Sequence, residues 1–228
     1  MNNKIFTLII PFHNDSQYLP FWVELLKNSS IMDLAEIIVV DDASEESHFH
    51  VLTSRLSNKC QILRHKKNLG PWATRMTGLR QVKTDYFMFA DADDELILSN
   101  IGKFFMSNNF SNQSDVYSFG FTKIYRDGKV KHVRNPQNIT LDGKKLIDYF
   151  NDFHPSKSLI ARFYKTESIR PIFFEITESV KKFRVAEDWF AITYLLSKNL
   201  QWSFRPEMIY KHIKRADSTT VNDFKSKE

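Results

Sequence analysis

Apolar residues along this chain fall into short, dense runs that stop abruptly at polar ones. Ile5-Phe6-Thr7-Leu8-Ile9-Ile10 ends at Pro11 and opens into Phe12-His13-Asn14-Asp15, and Glu36-Ile37-Ile38-Val39-Val40 ends at Asp41-Asp42-Ala43-Ser44. Cys60 to Arg64 is a shorter run, and Asp85 to Ala90 leads straight into Asp91-Ala92-Asp93-Asp94-Glu95. Apolar runs of this length bounded by turn signals predict buried strands. Between them the period lengthens. Leu19, Trp22, Val23 and Leu26 recur at helical spacing, with Ser16 as the predicted N-cap and Asn28-Ser29-Ser30 as the break. Ser44 is predicted to cap a helix through Leu56, and Pro71, after the turn Asn68-Leu69-Gly70, suits the first turn of a helix to about Val82. Strand alternating with helix predicts a parallel sheet wound by crossover helices. Ligands of such sheets bind outside the carboxyl ends of the strands, so the loops at 11–15, 41–44 and 91–95 should converge on one crevice.

Past residue 110 the pattern changes. Asp115 to Tyr125 and Lys129 to Val133, split by Asp127-Gly128, predict an antiparallel β-hairpin. Asp142 to Phe150 is predicted helical, Leu159 to Tyr164 extended and Met208 to His212 a strand. Val185 to Leu196 is predicted helical, with Val185, Trp189, Ile192 and Leu196 on one stripe. The expected class is α/β, a mostly parallel sheet flanked by helices with a small antiparallel hairpin in the C-terminal half. One domain is expected over residues 1–221, its organisation changing between 1–110 and 111–221, with a loose polar tail (222–228).

Composition narrows the class. The 228 residues are 42% hydrophobic, enough for a sizeable core, and the single cysteine, Cys60, excludes an internal disulfide. The apolar run before Pro11 is far shorter than the roughly 20 residues of a membrane-spanning helix and has no small-residue cleavage site. A cytoplasmic protein is the expectation. Net charge is +5, but residues 120–228 carry 21 Lys+Arg against 13 Asp+Glu, a balance of +8, while residues 1–119 carry 11 against 14. A basic second half suits an anionic partner, either a diphosphate or an anionic membrane surface. The basic residues do not form a stripe interleaved with aromatics, and Phe supplies 20 of the aromatics, as a core would, so nucleic acid is not expected as a partner.

The candidate chemistry lies at the strand ends. Asp91 and Asp93, delivered from a buried strand, present hard oxygen ligands of the kind that suit Mg²⁺ or Mn²⁺. Asp94 and Glu95 are predicted to start the next helix, where acids suit the dipole. Five further segments stand in a telling order: Pro11-Phe12-His13-Asn14; Asp41-Asp42-Ala43-Ser44; Asn68-Leu69-Gly70 with Arg75-Met76-Thr77-Gly78; Ala186-Glu187-Asp188-Trp189; and Tyr210-Lys211-His212-Ile213-Lys214-Arg215-Ala216-Asp217-Ser218-Thr219-Thr220. With Asp91-Ala92-Asp93 as the metal motif, this series resembles the family-2 inverting glycosyltransferases of the GT-A fold. Ala43 departs from the glycine common there, and Met76 from the usual asparagine.

The resemblance implies transfer of a sugar, with inversion, from a nucleotide sugar, UDP by family preference, to a saccharide or lipid-linked acceptor of a bacterial cell-surface glycan. It makes Asp188 the general base, Asp91 and Asp93 the metal ligands, and Pro11, Asn14, Asp41, Asp42, Arg75, Ala92, His212 and Arg215 parts of the donor site. Glu187 and Trp189 fall to the acceptor, and the resemblance makes residues 1–110 the nucleotide-binding half and 111–221 the acceptor-binding half. Bland readings stand beside several of these. One of Asp41 and Asp42 is expected to cap the next helix, Arg75 suits an ordinary i,i+4 surface salt bridge, and the place of Trp189 in the helical stripe predicts the core. The alternative function is a non-catalytic nucleotide-sugar-binding module of a larger glycan polymerase. A dehalogenase-type phosphotransferase would need Thr or Val where Glu95 stands and its Asp-x-Asp on the first strand. A receiver domain would carry its paired acids after the first strand, not the second.

Overall fold

The computed structural model describes residues 4–27, 29–107, 110–180 and 186–214. The first apolar run is strand β1 (Phe6–Phe12), nearly all of it buried. It pairs in parallel with β2 (Ala35–Asp41) on one side and β4 (Tyr86–Phe89) on the other, and β2 pairs in parallel with β3 (Gln61–Arg64). All four strands are parallel, as the apolar runs predicted of a wound sheet, and their order is 3-2-1-4. Helices cover both faces of these strands, so successive side chains are buried on either side, which is why these runs do not alternate.

The sheet then continues in a different manner. Strand β9 (Arg162–Lys165) adds antiparallel to β4, β6 (Val116–Ile124) adds antiparallel to β9, and β10 (Trp202–Ile213) runs parallel to β6. Among the described residues one ten-stranded sheet results, completed by β5 (Glu95–Leu96) and β8 (Ile139–Leu141) on β10 and by β7 (Val130–Val133) on β6. The β6–β7 pair is the predicted hairpin.

Helices α1 (Leu19–Leu25), α2 (Ser29–Leu34), α3 (Glu46–Leu56) and α5 (Leu98–Met106) contribute to one apolar cluster, in which Phe6, Phe104, Phe105 and Phe163 stack and meet edge to face. Helices α4 (Pro71–Leu79), α6 (Gly143–Phe153), α7 (Thr166–Val180) and α8 (Glu187–Leu196) build the second cluster around Phe87, Phe89, Tyr164 and Phe173. Helix α4 can lie close on β1 and β2 because Gly78 faces them: a Cβ there would stand 2.5 Å from Ile9 Cγ2.

Several local expectations are corrected. Neither Ser16 nor Ser44 caps a helix. Ser16 bonds the ring Nδ1 of His48 at 2.7 Å, and the Ser44 hydroxyl accepts the Asn14 N–H at 2.9 Å. Asp94 and Glu95 do not begin a helix, because the end of β10 offers stronger partners: Glu95 and Leu96 pair with that strand, and α5 starts three residues later. In α8 the buried residues are Ala191, Ile192 and Leu195, whereas Trp189 is 59% exposed. The stripe is therefore rotated from the predicted one, and Trp189 is not in the core. Val185, Arg215 and the tail lie outside the described residues.

Candidate active site

The carboxyl ends of β1, β2 and β4 lie side by side, tied by Asp42 N–H to Phe12 O at 2.8 Å and Ala90 N–H to Ile9 O at 3.1 Å. They present His13 to Asp15, Asp41 to Ser44 and Asp91 to Asp94 at one rim, the convergence expected of a wound sheet.

The acidic loop after β4 is held from three directions. Indole Nε1 of Trp22 donates to Ala92 O at 2.8 Å. The Tyr210 hydroxyl accepts the Asp91 N–H at 3.0 Å and donates to Asp94 Oδ2 at 2.8 Å. The buried Asp94 also accepts the Ile213 N–H at 2.8 Å and lies 3.1 Å from His212 Nδ1. Asp94 therefore locks β10 to the loop, and this spends its carboxylate. Burial works against a charged His212, but the hydrogen bond and charge of Asp94 prevail and hold its pKa above the usual histidine value.

Asp93 differs from its neighbours. Burial and the surrounding Asp94, Asp91 and Asp15 carboxylates push its pKa up to about 7. A carboxyl crowded by three others marks a place short of positive charge, which a hard cation would supply. Among the described residues no group of three or more ligating side chains converges on one point, so a cation held by Asp91 and Asp93 would need further donors from a ligand.

Arg75 is the hub. Its buried guanidinium reaches Asp91 Oδ1 at 2.7 Å through Nη2, and through Nη1 it reaches Glu187 Oε1 at 3.2 Å and Asp188 Oδ1 at 3.6 Å. Burial alone would lower its pKa, but the charges of Asp91, Asp188 and Glu187 outweigh it and hold the group above the ordinary arginine value. The i,i+4 surface salt bridge is thus excluded. Arg75 instead joins the acidic loop after β4 to the head of α8, where Glu187 is 112 residues from Arg75 along the chain.

Asp188 is oriented from a second side, its Oδ2 accepting the Ser158 hydroxyl at 3.2 Å and the Leu159 N–H at 3.1 Å. Its side chain keeps 29% exposure, so the carboxylate still faces solvent. Glu187 is more enclosed, and burial raises its pKa against the pull of Arg75. Trp189 projects beside them with Lys157 Nζ 3.9 Å from its ring centroid, a cation–π contact on an exposed aromatic face.

The remaining predicted positions are engaged in building the rim. Asp42 accepts Leu69 N–H at 2.9 Å and Gly70 N–H at 2.8 Å and lies 2.7 Å from His65 Nδ1, so it clamps the turn before α4. Asp41 accepts the Ser44 N–H at 3.3 Å and forms an ion pair with Arg64 Nε at 3.0 Å. Neither caps α3, whose N-cap is Glu45 with no side-chain bond. Asn14, at φ 58°, accepts the Glu45 N–H at 2.8 Å, and Pro11 is half-buried beside it in β1. Ala43 sits at φ 58°, the left-handed region that explains why glycine is common there.

Sequence patterns missed Tyr210 as the lock of the acidic loop, Ser158 as a holder of Asp188, and His65, which also bonds the Thr77 hydroxyl at 2.9 Å. Tyr210 heads the tail segment of the resemblance but had no role assigned, His65 stands directly after a strand end, and Ser158 carried no local signal.

Comparison with known proteins bears on the family and the fold. The chain is 25% identical over 228 residues to the minor teichoic acid biosynthesis protein GgaA of Bacillus subtilis, covering 96% of this chain and 49% of that one. It is 28% identical over 177 residues to the teichoic acid poly(glycerol phosphate) polymerase of Staphylococcus epidermidis, covering 75% and 22%. The chain thus spans about half the length of the first and under a quarter of the second. Among solved structures, S. aureus TarS 1–349 in complex with UDP-GlcNAc superposes with a TM-score of 0.71 at 18% identity, over 95% of this chain and 60% of that one, and shares the fold. No helix among the described residues is long and apolar enough to cross a membrane. The family model described as glycosyl transferase family 2 matches residues 7–134, more than half of the chain and the span that carries every strand end of the rim, and the chain belongs to that family.

Proposed function

We propose that this protein transfers a hexosyl or N-acetylhexosaminyl unit from a UDP-sugar to a hydroxyl of a phosphate-linked cell-envelope glycan, with inversion, acting in the cytoplasm or at the inner face of the membrane. The observation that carries the reading is the Arg75 bridge, which sets the acidic loop after β4 and Asp188 at the head of α8 within one guanidinium of each other. The relatives named for teichoic acid synthesis support the acceptor class, and the UDP-GlcNAc complex of TarS supports the donor.

In this mechanism Asp188 takes the proton of the acceptor hydroxyl as its oxygen attacks the anomeric carbon. The new C–O bond forms as the bond from that carbon to the diphosphate oxygen breaks, and the electron pair leaves with the nucleoside diphosphate. Arg75, Ser158 and the Leu159 N–H hold Asp188 in position. Asp91 and Asp93 would hold Mn²⁺ or Mg²⁺, whose chemistry when bound is to neutralise charge growing on the departing diphosphate. His212 adds positive charge beside the acidic loop, Arg215, outside the described residues, is assigned to the same donor role by the family resemblance, and Pro11, Asn14, Asp41 and Asp42 shape the nucleotide wall. Trp189 offers its exposed face to the acceptor, with Glu187 beside it.

Asp188→Asn tests the assignment. Transfer should fall by about 10²–10⁴-fold, with UDP binding by calorimetry preserved. Transfer near the wild-type rate would show that Asp188 is not the base. Binding of UDP-sugar by the wild type with no release of UDP in Mn²⁺ would make the chain a binding module instead.

A further inference from the structure

Strand register sets a row of cations beside the acidic loop. His212 of β10 is the register partner of Lys123 in β6, and Lys123 is the partner of Lys131 in β7. Register partners project on the same face, so the three form one line across the sheet, starting at the histidine that bonds Asp94. Lys214 extends the inner end, its N–H donating to Ile124 O at 2.8 Å one residue past β10.

Beyond His212, which Asp94 pairs, nothing among the described residues balances this row. Among the described residues no carboxylate lies within ion-pair distance of Lys123, Lys131 or Lys214. The acids of that end are taken: Asp94 by Tyr210, His212 and the Ile213 N–H, Glu95 by Lys211 and Asp127 by Lys129. Lys123 is half-buried, with its ammonium 5.6 Å from the Phe121 ring centroid, and burial together with Lys214 and Lys131 lowers its pKa. Like charges directly opposite across an antiparallel pair are unfavourable. A bound anion reverses that sign.

We propose that Lys123, Lys131 and Lys214 form an anion-reading edge of the acceptor site, a row that grips successive phosphates of a phosphodiester-linked acceptor chain. The inference rests on the transferase reading above for the word acceptor, and on the register alone for the site. The donor diphosphate does not account for the row. Lys131 stands two strands out from His212, roughly 10 Å away at the usual strand spacing, whereas the diphosphate belongs at Asp91 and Asp93. A linear polyanion lying across β7 and β6 toward β10 would meet each lysine in turn.

The test is calorimetric titration of the full chain with a soluble glycerol-phosphate oligomer, without donor, for the wild type, Lys123→Gln/Lys131→Gln and Lys123→Arg/Lys131→Arg. The glutamine pair should weaken oligomer binding at least tenfold and reduce the slope of log affinity on log salt by about two. The arginine pair should retain binding, and UDP affinity should be the same in all three. Equal oligomer affinity in the glutamine pair would overturn the proposal, as would a parallel loss of UDP affinity, which would assign the row to the donor. Wild-type binding to phosphatidylglycerol vesicles but not to the oligomer would overturn it in favour of a lipid surface. Oligomer binding through the row without turnover of any UDP-sugar would defeat the transferase reading and leave the site standing.

Discussion

Arg75 illustrates how much depends on one side chain. It is buried among three carboxylates, from the acidic loop and from α8, and supplies the only cation that any of them touches among the described ion pairs. Removing one partner of a buried charged cluster leaves the others uncompensated. Arg75→Met should therefore cost about 3 kcal/mol in urea unfolding and reduce transfer by more than Asp188→Asn does, since it disturbs both ends. Arg75→Lys keeps the charge but not the fork that reaches two sides, and should restore stability more fully than it restores kcat. Equal kcat for the Arg75→Lys variant and the wild type would count against the bridging role. The cysteine is a simpler case. Cys60 donates its thiol to Leu56 O, and burial pushes its pKa up to about 12. Against a free thiol near 8.5, its thiolate population at pH 8 is lower by about 10³-fold. Labelling with a thiol reagent should be slower by about that factor in the native protein and should become fast in denaturant.

Elements bring these residues within reach. Helix α4 carries Arg75 and packs on β1 and β2 through Gly78, where an added Cβ would also stand 3.3 Å from Val40 Cγ2. Ile9 and Val40 are fully buried and have no room to yield. Gly78→Ala should destabilise by about 1–3 kcal/mol through overpacking, measured by denaturant unfolding, and should lower transfer by displacing Arg75 relative to Asp91. An unchanged midpoint would show that the helix can shift freely. The two halves of the sheet differ in how plainly their elements could be read. Residues buried on both faces of β1, β2 and β4 leave unbroken apolar runs, visible without any partner. Strands β5 and β8 and helices α2 and α7 had no such signature. Strand β5 is two residues long and exists because β10 has a free edge beside it. Helix α7 contains Pro171, a residue that argues against a helix when read locally, yet Ile169, Phe173 and Ile176 bury against the second core and outweigh it.

At the scale of the whole molecule, the site is an acidic crevice flanked by a basic row, and a donor with its cation should tighten it as a unit. A UDP-sugar at about 100 times its Kd adds roughly 2.7 kcal/mol to the folded state, which for a chain of this size raises Tm by about 5–10 °C. In Mn²⁺ that shift should be present for the proper donor, and in EDTA it should largely vanish. An undiminished shift in EDTA would remove the cation from the donor site. Asp91, Asp93 and Asp188 could each be picked out as candidates from the sequence, because each follows a pattern set by its own neighbours: a buried strand running into acids, or acids at the head of an amphipathic segment. The four parallel strands and their crossover helices were legible for the same reason, since apolar period and turn chemistry are local properties, but their order 3-2-1-4 was not. What those patterns could not say is which acid does what. Asp94 lies one residue from Asp93 and has a different task only because Tyr210, His212 and the Ile213 N–H come to it from β10. Trp189 faces out, not in, because the packing of α7 and α6 fixes the rotation of α8. The joining of Asp91 to Asp188 through Arg75, and of His212 to Lys123 and Lys131 through strand register, are decided by tertiary structure alone. Hydrophobic burial sets the order of elements from short-range patterns, whereas ion pairs and strand register act between residues that only the folded chain brings together.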